Sequence, residues 1–335
     1  MTNKKVIPIK IKRAIPRKYK TVEWKIHNVC NFDCSFCGDE NKIGTERWHS
    51  IDKYKQVSKK LMVQAEKENK FIWFQITGGE PTLYPRLPEL LAFIRENGHK
   101  VAIISNGSRT LRWWKELAEM NVLDILFLTH HTEQDKDEQH TIDVANMFHD
   151  TATDVRIQVT APITLLEEGN RRHQLFLENT GAISSLKAIF YYTNGSFSPR
   201  EIAQYTPEQT KLLLENISRP GKLRSTKKMA FIPMSSQYGT KMNVEYDDGS
   251  ANTESVYEIV EHKRNNYKGW KCSIGRDLIT IQHELIYRGV CRVGGIIGNI
   301  NDDDFGFVND DVTCTSQWCT CLMDLQEPKF KFQPL

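Results

Sequence analysis

No apolar run in this chain approaches the ~20 residues needed to cross a bilayer. Its start has no apolar signal core, so the expectation is a cytoplasmic protein that is neither secreted nor membrane-bound. There is no internal repeat and no low-complexity tract. Acid is missing before Glu23, which leaves Lys4, Lys5, Lys10, Lys12, Arg13, Arg17, Lys18 and Lys20 as a basic stretch. Serine is missing from that stretch too, which counts against a mitochondrial presequence. The stretch reads either as an arm that touches an anionic partner or as a solvated edge strand or loose terminus. Most informative is where cysteine is missing: none lies between Cys37 and Cys272. Secreted disulfide scaffolds are short and cysteine-dense throughout. Two separated groups in a long chain without a signal read instead as metal sites in a reducing compartment.

What is present fits an ordinary globular protein of about two domains: 335 residues, 39% hydrophobic and 26% charged, with a net charge of +3 that says little about partners. Cys30, Cys34 and Cys37 form a C-x3-C-x2-C run, which offers three thiolates to one centre and no fourth. A structural zinc site wants four closed ligands, and a cubane iron–sulfur cluster usually takes four cysteines. Three leave one metal position open, where a ligand can bind and react. A zinc knot completed by His27 or His49 is the competing reading. Phe36, just before the last cysteine, is placed to pack beside whatever binds the open iron. Forty residues on, Thr77-Gly78-Gly79-Glu80-Pro81 follows the apolar run Phe71–Ile76. Two glycines at a strand end let backbone approach a ligand, and the carboxylate after them can pair with a cation.

With these motifs, residues 20–195 resemble the radical S-adenosylmethionine family. The resemblance implies that Cys30, Cys34 and Cys37 hold a 4Fe–4S cluster and that Phe36 contacts the adenine of S-adenosylmethionine. It also implies that Gly78, Gly79 and Glu80 form the site for the methionine amine. Ser105 and Asn106 then lie near the cofactor's ribose and carboxylate; a plain turn after a strand is the alternative. Gln158, an amide inside an apolar strand, needs a partner, either a ribose hydroxyl or a core hydrogen bond.

The strand candidates are Val22–Ile26, Phe71–Ile76, Val101–Ile104, Leu123–Leu128, Val155–Val159 and Leu186–Tyr192. Most are near-continuous apolar runs, as expected of parallel strands covered on both faces. Helices fall between them. Ser50 caps one with apolar Ile51, Tyr54, Val57, Leu61 and Ala65, and Leu87, Leu90, Leu91 and Ile94 mark the next, ended by Asn97-Gly98. Others are expected near Leu111–Met120, Thr141–Phe148 and Leu165–Glu178. Six β-α units predict an α/β fold with a parallel sheet and right-handed crossovers, too short for a closed eight-stranded barrel. The family resemblance implies the same partial (β/α)6 TIM-like barrel. Ligands in such sheets sit at the carboxyl ends of the strands, where Cys30, Gly78–Glu80, Ser105–Gly107 and Thr160 fall. The expected division is 1–20 basic arm, 21–200 barrel, 201–254 helix and linker or hairpin, and 255–328 a small cysteine-bearing module.

In that last module, Cys272 and Cys291 bracket a hairpin of Leu278, Ile279, Ile281 and Leu285, Ile286, Tyr287, with the two cysteines meeting at its open end. Cys314, Cys319 and Cys321 follow. Four of the five thiolates complete either a cubane cluster or a zinc site. The arrangement resembles the auxiliary-cluster modules called twitch and SPASM domains, the shorter single-cluster twitch type best, which implies one auxiliary 4Fe–4S cluster. It departs from them in having His283-Glu284 where a turn glycine is common. His130-His131 reads as loop histidines, and Asp302–Asp304 with Asp310 and Asp311 as a solvated loop.

The resemblance implies an oxidoreductase or transformase that reductively cleaves S-adenosylmethionine and abstracts a substrate hydrogen. An external flavodoxin- or ferredoxin-like protein would donate the electron. Auxiliary-cluster relatives commonly modify peptides, so a peptide or protein substrate is the first expectation, although no separate leader-binding domain precedes the barrel. A nucleotide, nucleic acid or other small molecule is the alternative, and the basic N-terminal stretch gives nucleic acid slight support. A non-enzymatic metal-binding protein is the third reading, and the Gly78–Glu80 amine pocket argues against it.

Overall fold

The computed structural model describes residues 7–135, 137–187, 189–192, 200–202, 205–225, 240–319 and 321–331. The chain divides into two compact units, each assembled from separated stretches. One comprises residues 1–23, 59–72 and 231–335; the other comprises 24–58 and 73–230. Strand β1 is Pro8–Arg13 and β2 is Tyr19–Lys25.

The second unit holds the alternating pattern. Its chain order is α1 (Ile51–Glu66, begun here), β3 (Phe71–Thr77, completed here), α2 (Leu87–Glu96), β4 (Lys100–Ser105), α3 (Leu111–Met120), β5 (Ile125–His131), α4 (Glu138–Met147), β6 (Asp154–Thr160), α5 (Leu166–Asn179) and β7 (Ile183–Lys187). Strands β3 to β7 pair in sequence order, all parallel, and β2 lies next to β3. This open parallel order is consistent with an incomplete barrel. The helix-1 stripe is as the spacing predicts: Ile51, Tyr54, Val57, Leu61 and Ala65 are all buried, and Ser50 Oγ accepts the Lys53 N–H.

The last strand departs from its prediction. The run Leu186–Tyr192 is not one strand: β7 begins at Ile183, and Phe190–Tyr192 forms a separate β8 paired antiparallel with β9 (Arg200–Ile202). The two serines in Ile183-Ser184-Ser185 hide the true start from a search for apolar runs. Helix α6 (Pro207–Glu215) carries a full capping box at Thr206 and Gln209, and the short β10 (Arg219–Pro220) pairs with β7.

The strands are buried on both faces, but the two faces differ in chemistry. Register places Ser184 and Leu186, with His130 and Val159, on one side of the sheet. Ser184 Oγ meets His173 Nδ1 of α5 at 2.8 Å, and His130 packs edge-on against Phe176 of the same helix. That side is the helix-covered one. The other side carries apolar Ile125, Phe127 and Ile183, but Thr129, His131, Gln158, Thr160, Ser185 and Lys187 make it polar towards the ends of β5, β6 and β7. A sheet dry on one face and polar on the other can line a ligand site with its own strands.

In the first unit, the chain continues as β11 (Lys241–Tyr246), β12 (Ala251–Ser255), α7 (Val256–Glu261), β13 (Lys271–Cys272), β14 (Leu278–Gln282), β15 (Leu285–Arg288), β16 (Ile296–Asn299), β17 (Val312–Thr313), α8 (Leu322–Leu325) and β18 (Lys329–Phe330). The Asp247–Ser250 turn joins β11 to β12 as a hairpin. Part of residues 218–250, read from sequence as linker or hairpin, lies outside the described residues. A six-stranded sheet runs β12-β11-β1-β18-β13-β17. Its interior strand β1 is the basic segment expected as a loose terminus or edge. Pairing with β11 and β18 on both sides leaves it no free edge. Its charges are answered locally. Lys10 and Lys12 meet Glu245, the buried Arg17 pairs with the buried Glu327, and the buried Lys20 reaches Glu68 and the Arg276 carbonyl. Lys4 and Lys5 lie outside the described residues; Lys10, Lys12, Arg17 and Lys20 serve the fold, which weakens the support the stretch lent to a nucleic-acid partner.

Candidate active site in the parallel unit and the cysteine-rich unit

The loop after β2 brings Cys30, Cys34 and Cys37 round one turn, with the Cys37 N–H on the Cys34 carbonyl. Its closure comes from two sides. Asn28 holds the far arm through Thr45 Oγ1 and the Glu46 N–H, and a bridge joins Val29 to Ile43. On the other side the Gly79 N–H donates to the His27 carbonyl and the Glu80 N–H to the Val29 carbonyl, both at 2.8 Å. A Cβ on Gly78 would stand 2.4 Å from His27 O, and one on Gly79 2.1 Å from Val29 O. The glycines thus let the end of β3 press against the cysteine loop itself.

Glu80 is buried and densely bonded. Its Oε1 accepts from the Thr82 N–H, Thr82 Oγ1 and Ser105 Oγ, and its Oε2 from the Asn106 N–H at 2.6 Å. Burial raises its pKa, and these donors offset part of that shift. Ser105 therefore sits against Glu80, and Asn106 reaches Asn31 Oδ1, tying the end of β4 to the residue beside Cys30. Asn31 in turn donates to Ser108 Oγ. Neither Asn31 nor Ser108 carries a motif of its own, so nothing local signals this tie.

The adjacent histidines lie in β5 and not in a loop, so they point to opposite faces of the sheet. His130 is buried with Thr141 and Arg172, and burial lowers its pKa to about 3. His131 faces the cysteines. Its Nδ1 lies 3.3 Å from Cys34 Sγ and 3.2 Å from Thr160 Oγ1, and its ring stacks on Phe36 at 5.7 Å with planes 13° apart. Phe36 thus has a flat aromatic partner beside the thiols. Gln158 lies on the polar face, one strand from Thr129 and one from Ser185.

The thiols fit a multi-iron centre better than a zinc ion. A tetrahedral zinc would hold its sulfurs about 3.8 Å apart. Among the described residues, no three cysteine sulfurs lie within 4.8 Å of one another. Burial and then the neighbouring thiols push the Cys34 pKa far up, and burial pushes Cys37 up to about 11. Thiols held neutral this way ionise when they ligate a metal cation.

The sequence model of the Radical SAM superfamily matches residues 24–160. This chain carries a radical SAM domain. An S-adenosylmethionine-dependent nucleotide dehydratase of Thermoplasmatales archaeon (strain ISO4-H5) is 27% identical over 160 residues, 43% of this chain and 53% of that protein. A GTP 3',8-cyclase of Pectobacterium atrosepticum is 32% identical over 120 residues, 32% of this chain and 35% of that protein. The matches thus span about a third to a half of those relatives' lengths. In fold, the chain is similar to anSMEcpe solved with bound AdoMet and the Kp18Cys peptide, with a TM-score of 0.51, 15% identity, and coverage of 84% of this chain and 78% of that one. Radical SAM domains use a 4Fe–4S cluster and S-adenosylmethionine, and the three thiols and the buried Glu80 suit both. No helix among the described residues is long and apolar enough to cross a membrane.

In the other unit, the hairpin β14–β15 forms as the sequence predicts, and His283 supplies the turn by adopting φ 54°. Asp324 clamps the far end: its carboxylate accepts the Val290 N–H and, at 2.6 Å, the Cys291 N–H. Asn265 holds the Cys319 backbone in both directions. After burial, which dominates, Asp324 and then Cys319 and Cys272 raise the pKa of Cys291, and Cys272 and Cys314 raise that of Cys319, which brings four thiols into one electrostatic group. Burial pushes Cys319 up to about 12. Lys329 stands buried beside this group, its ammonium donating to the carbonyls of Asp324, Leu325 and Glu327. Burial alone would lower its pKa, but Cys319 and Cys272 hold it raised. Cys314 acts on Cys319 as well, and its thiol also donates to the Ser316 carbonyl.

Proposed function

We propose that this chain is a radical S-adenosylmethionine enzyme acting on a nucleotide or other phosphorylated small molecule. The observation that carries the radical chemistry is the joining of three buried-loop thiols, Glu80 and the Asn31–Asn106 tie at the ends of consecutive strands of a radical SAM domain. When bound, the cluster and S-adenosylmethionine supply a 5′-deoxyadenosyl radical that removes a substrate hydrogen atom. The chain's own residues position these parts. Cys30, Cys34 and Cys37 hold the cluster. Glu80, fixed by Thr82, Ser105 and Asn106, has Oε2 capacity left to receive the methionine amine. Phe36, stacked on His131, offers the adenine a flat apolar edge.

The small-molecule substrate is favoured over a peptide by the relatives named for nucleotide chemistry and by the polar strand face. A peptide substrate is the second reading, favoured by the cysteine-rich unit and its likeness to auxiliary-cluster modules. For that unit we assign Cys272, Cys291, Cys319 and Cys321 as ligands of one auxiliary cluster, with Cys314 spare. Lys329 offsets the negative charge such a centre carries. Replacing Cys319 by alanine is expected to remove about half of the reconstituted iron, whereas Cys314→Ala keeps it; iron assay of the two anaerobic proteins checks this. Loss of iron in both, or in neither, overturns the assignment.

The deciding experiment is anaerobic. Reduced, reconstituted protein is incubated with S-adenosylmethionine and separate nucleotide, peptide and nucleic-acid fractions, and 5′-deoxyadenosine is quantified. Stimulation by the nucleotide fraction supports the reading. Stimulation by peptides alone promotes the second. No 5′-deoxyadenosine from iron-loaded protein overturns the radical reading.

A further inference from the structure

The polar side of the parallel sheet has an unsatisfied patch. Thr129, Gln158 and Ser185 lie side by side on β5, β6 and β7, and Thr160 and Lys187 lie side by side one step nearer the strand ends. Among the described residues, the side chains of Gln158 and Lys187 have no hydrogen-bond or ion-pair partner. The buried Thr129 hydroxyl has none either. Ser185 Oγ accepts the Ser218 N–H, which leaves its hydrogen free to donate outward. Buried polar groups normally find partners, so the idle Thr129 hydroxyl, with the half-buried Gln158 and Lys187 beside it, marks a place for an acceptor.

The charge there is positive. Arg156, on the same face, pairs with Asp154, as does Arg224, and both guanidinium groups lie near Lys187's strand. Lys187 is held in protein surroundings that lower its pKa, first through burial and then through Arg156. No carboxylate answers it among the described residues. The neighbours in register are hydroxyls and an amide, which donate to an anion and do not repel it. The position is also right. Lys187 is beside Thr160, which is beside His131, whose ring touches Cys34. Two strand spacings separate β5 from β7, roughly 10 Å. A small molecule anchored at Lys187 would therefore extend towards the thiols.

We propose that Lys187, with Gln158, Ser185 and Thr129, binds a phosphate group of the substrate. Phosphate suits the patch because it presents several strong acceptor oxygens to donors spread over three strands, and an ammonium binds it as a point charge. This deepens the proposed function and rests on it for the substrate's orientation. Gln158, which the sequence offered as a ribose contact, joins the phosphate donors.

The test measures binding without turnover, so its failure and the failure of radical chemistry are separable: 5′-deoxyadenosine reports the latter. Reconstituted full-length protein, with S-adenosylmethionine bound, is titrated by calorimetry with GMP, guanosine, inorganic pyrophosphate and an acetylated, amidated tri-glutamate peptide. GMP and pyrophosphate are expected to bind, with GMP at least about ten-fold tighter than guanosine. Lys187→Met is expected to weaken GMP about ten-fold or more while leaving guanosine affinity unchanged, and Lys187→Arg to restore most of the loss. Gln158→Leu should weaken GMP by a smaller factor. Equal affinity for GMP and guanosine, or equal weakening of both by Lys187→Met, overturns the proposal. Binding of the acidic peptide alone, or of none of the probes, overturns it as well. Iron content and far-ultraviolet circular dichroism of each variant show whether it is folded.

Discussion

Replacing Cys30 with alanine is expected to reduce 5′-deoxyadenosine formation about a thousandfold or more, to the level of protein without iron. The reason lies in how little redundancy the loop offers. The three thiols come from one turn; of the nearby histidines, His131 is held by Thr160 and Phe36, and His27 has one ring nitrogen bound into the loop itself. Its Nδ1 accepts the Val29 N–H and its ring packs on Trp48. Burial lowers its pKa to about 4, so it is neutral at physiological pH and bonded as the loop needs it. Two thiolates leave a cluster under-ligated, and residues that act as a unit lose almost everything together. Iron should fall by about half if the auxiliary centre survives, so iron assay and product formation must move by different factors. Retention of cofactor cleavage in Cys30→Ala would sink the enzymatic reading.

The cysteine spacing and the glycine pair were legible because each is local: a few adjacent residues carry the whole instruction. So were helix α1 and the β14–β15 hairpin, whose apolar periodicity survives into burial. Non-local features were not legible. Arg17 and Glu327 pair across 310 residues, so the basic N-terminal stretch looked like a free arm when it is an interior strand with its charges answered. The polar strand face was hidden in a different way. Arg156, Gln158 and Thr160 alternate with Val155, Ile157 and Val159, a period-two signal within one strand. Counting the strands as apolar runs discarded that alternation, and with it Lys187, whose meaning appears only when three strands are laid in register. His283 shows the opposite lesson. A missing turn glycine did not mean a missing turn, because a single residue in the left-handed region is tolerable at the tip of a well-packed hairpin.

The same distinction between local rule and spatial cause governs the second large effect, at Gly79. Its φ is not in the left-handed region, so alanine is forbidden there by contact alone. The added methyl would stand 2.1 Å from Val29 O and 2.4 Å from Val29 C, both backbone atoms that no side-chain rotation can clear. Either β3 or the cysteine loop must move, and both the Gly79–His27 and Glu80–Val29 hydrogen bonds are then strained or lost. Two hydrogen bonds and a backbone displacement place the cost on the order of 3 kcal/mol or more. Gly44 is the matched control. It sits on the same loop at φ 74° with open space around its Cβ, so Gly44→Ala meets only the left-handed penalty of about 1–2 kcal/mol. Urea midpoints of the two apo variants should therefore separate clearly, with Gly79→Ala the weaker. Its cluster loading should fall with them, because the displaced atoms are the ones that shape the loop between Cys30 and the end of β2. Equal midpoints would mean that the loop and the strand end yield to one another freely, and the close approach would then have no role in holding the three thiols in place.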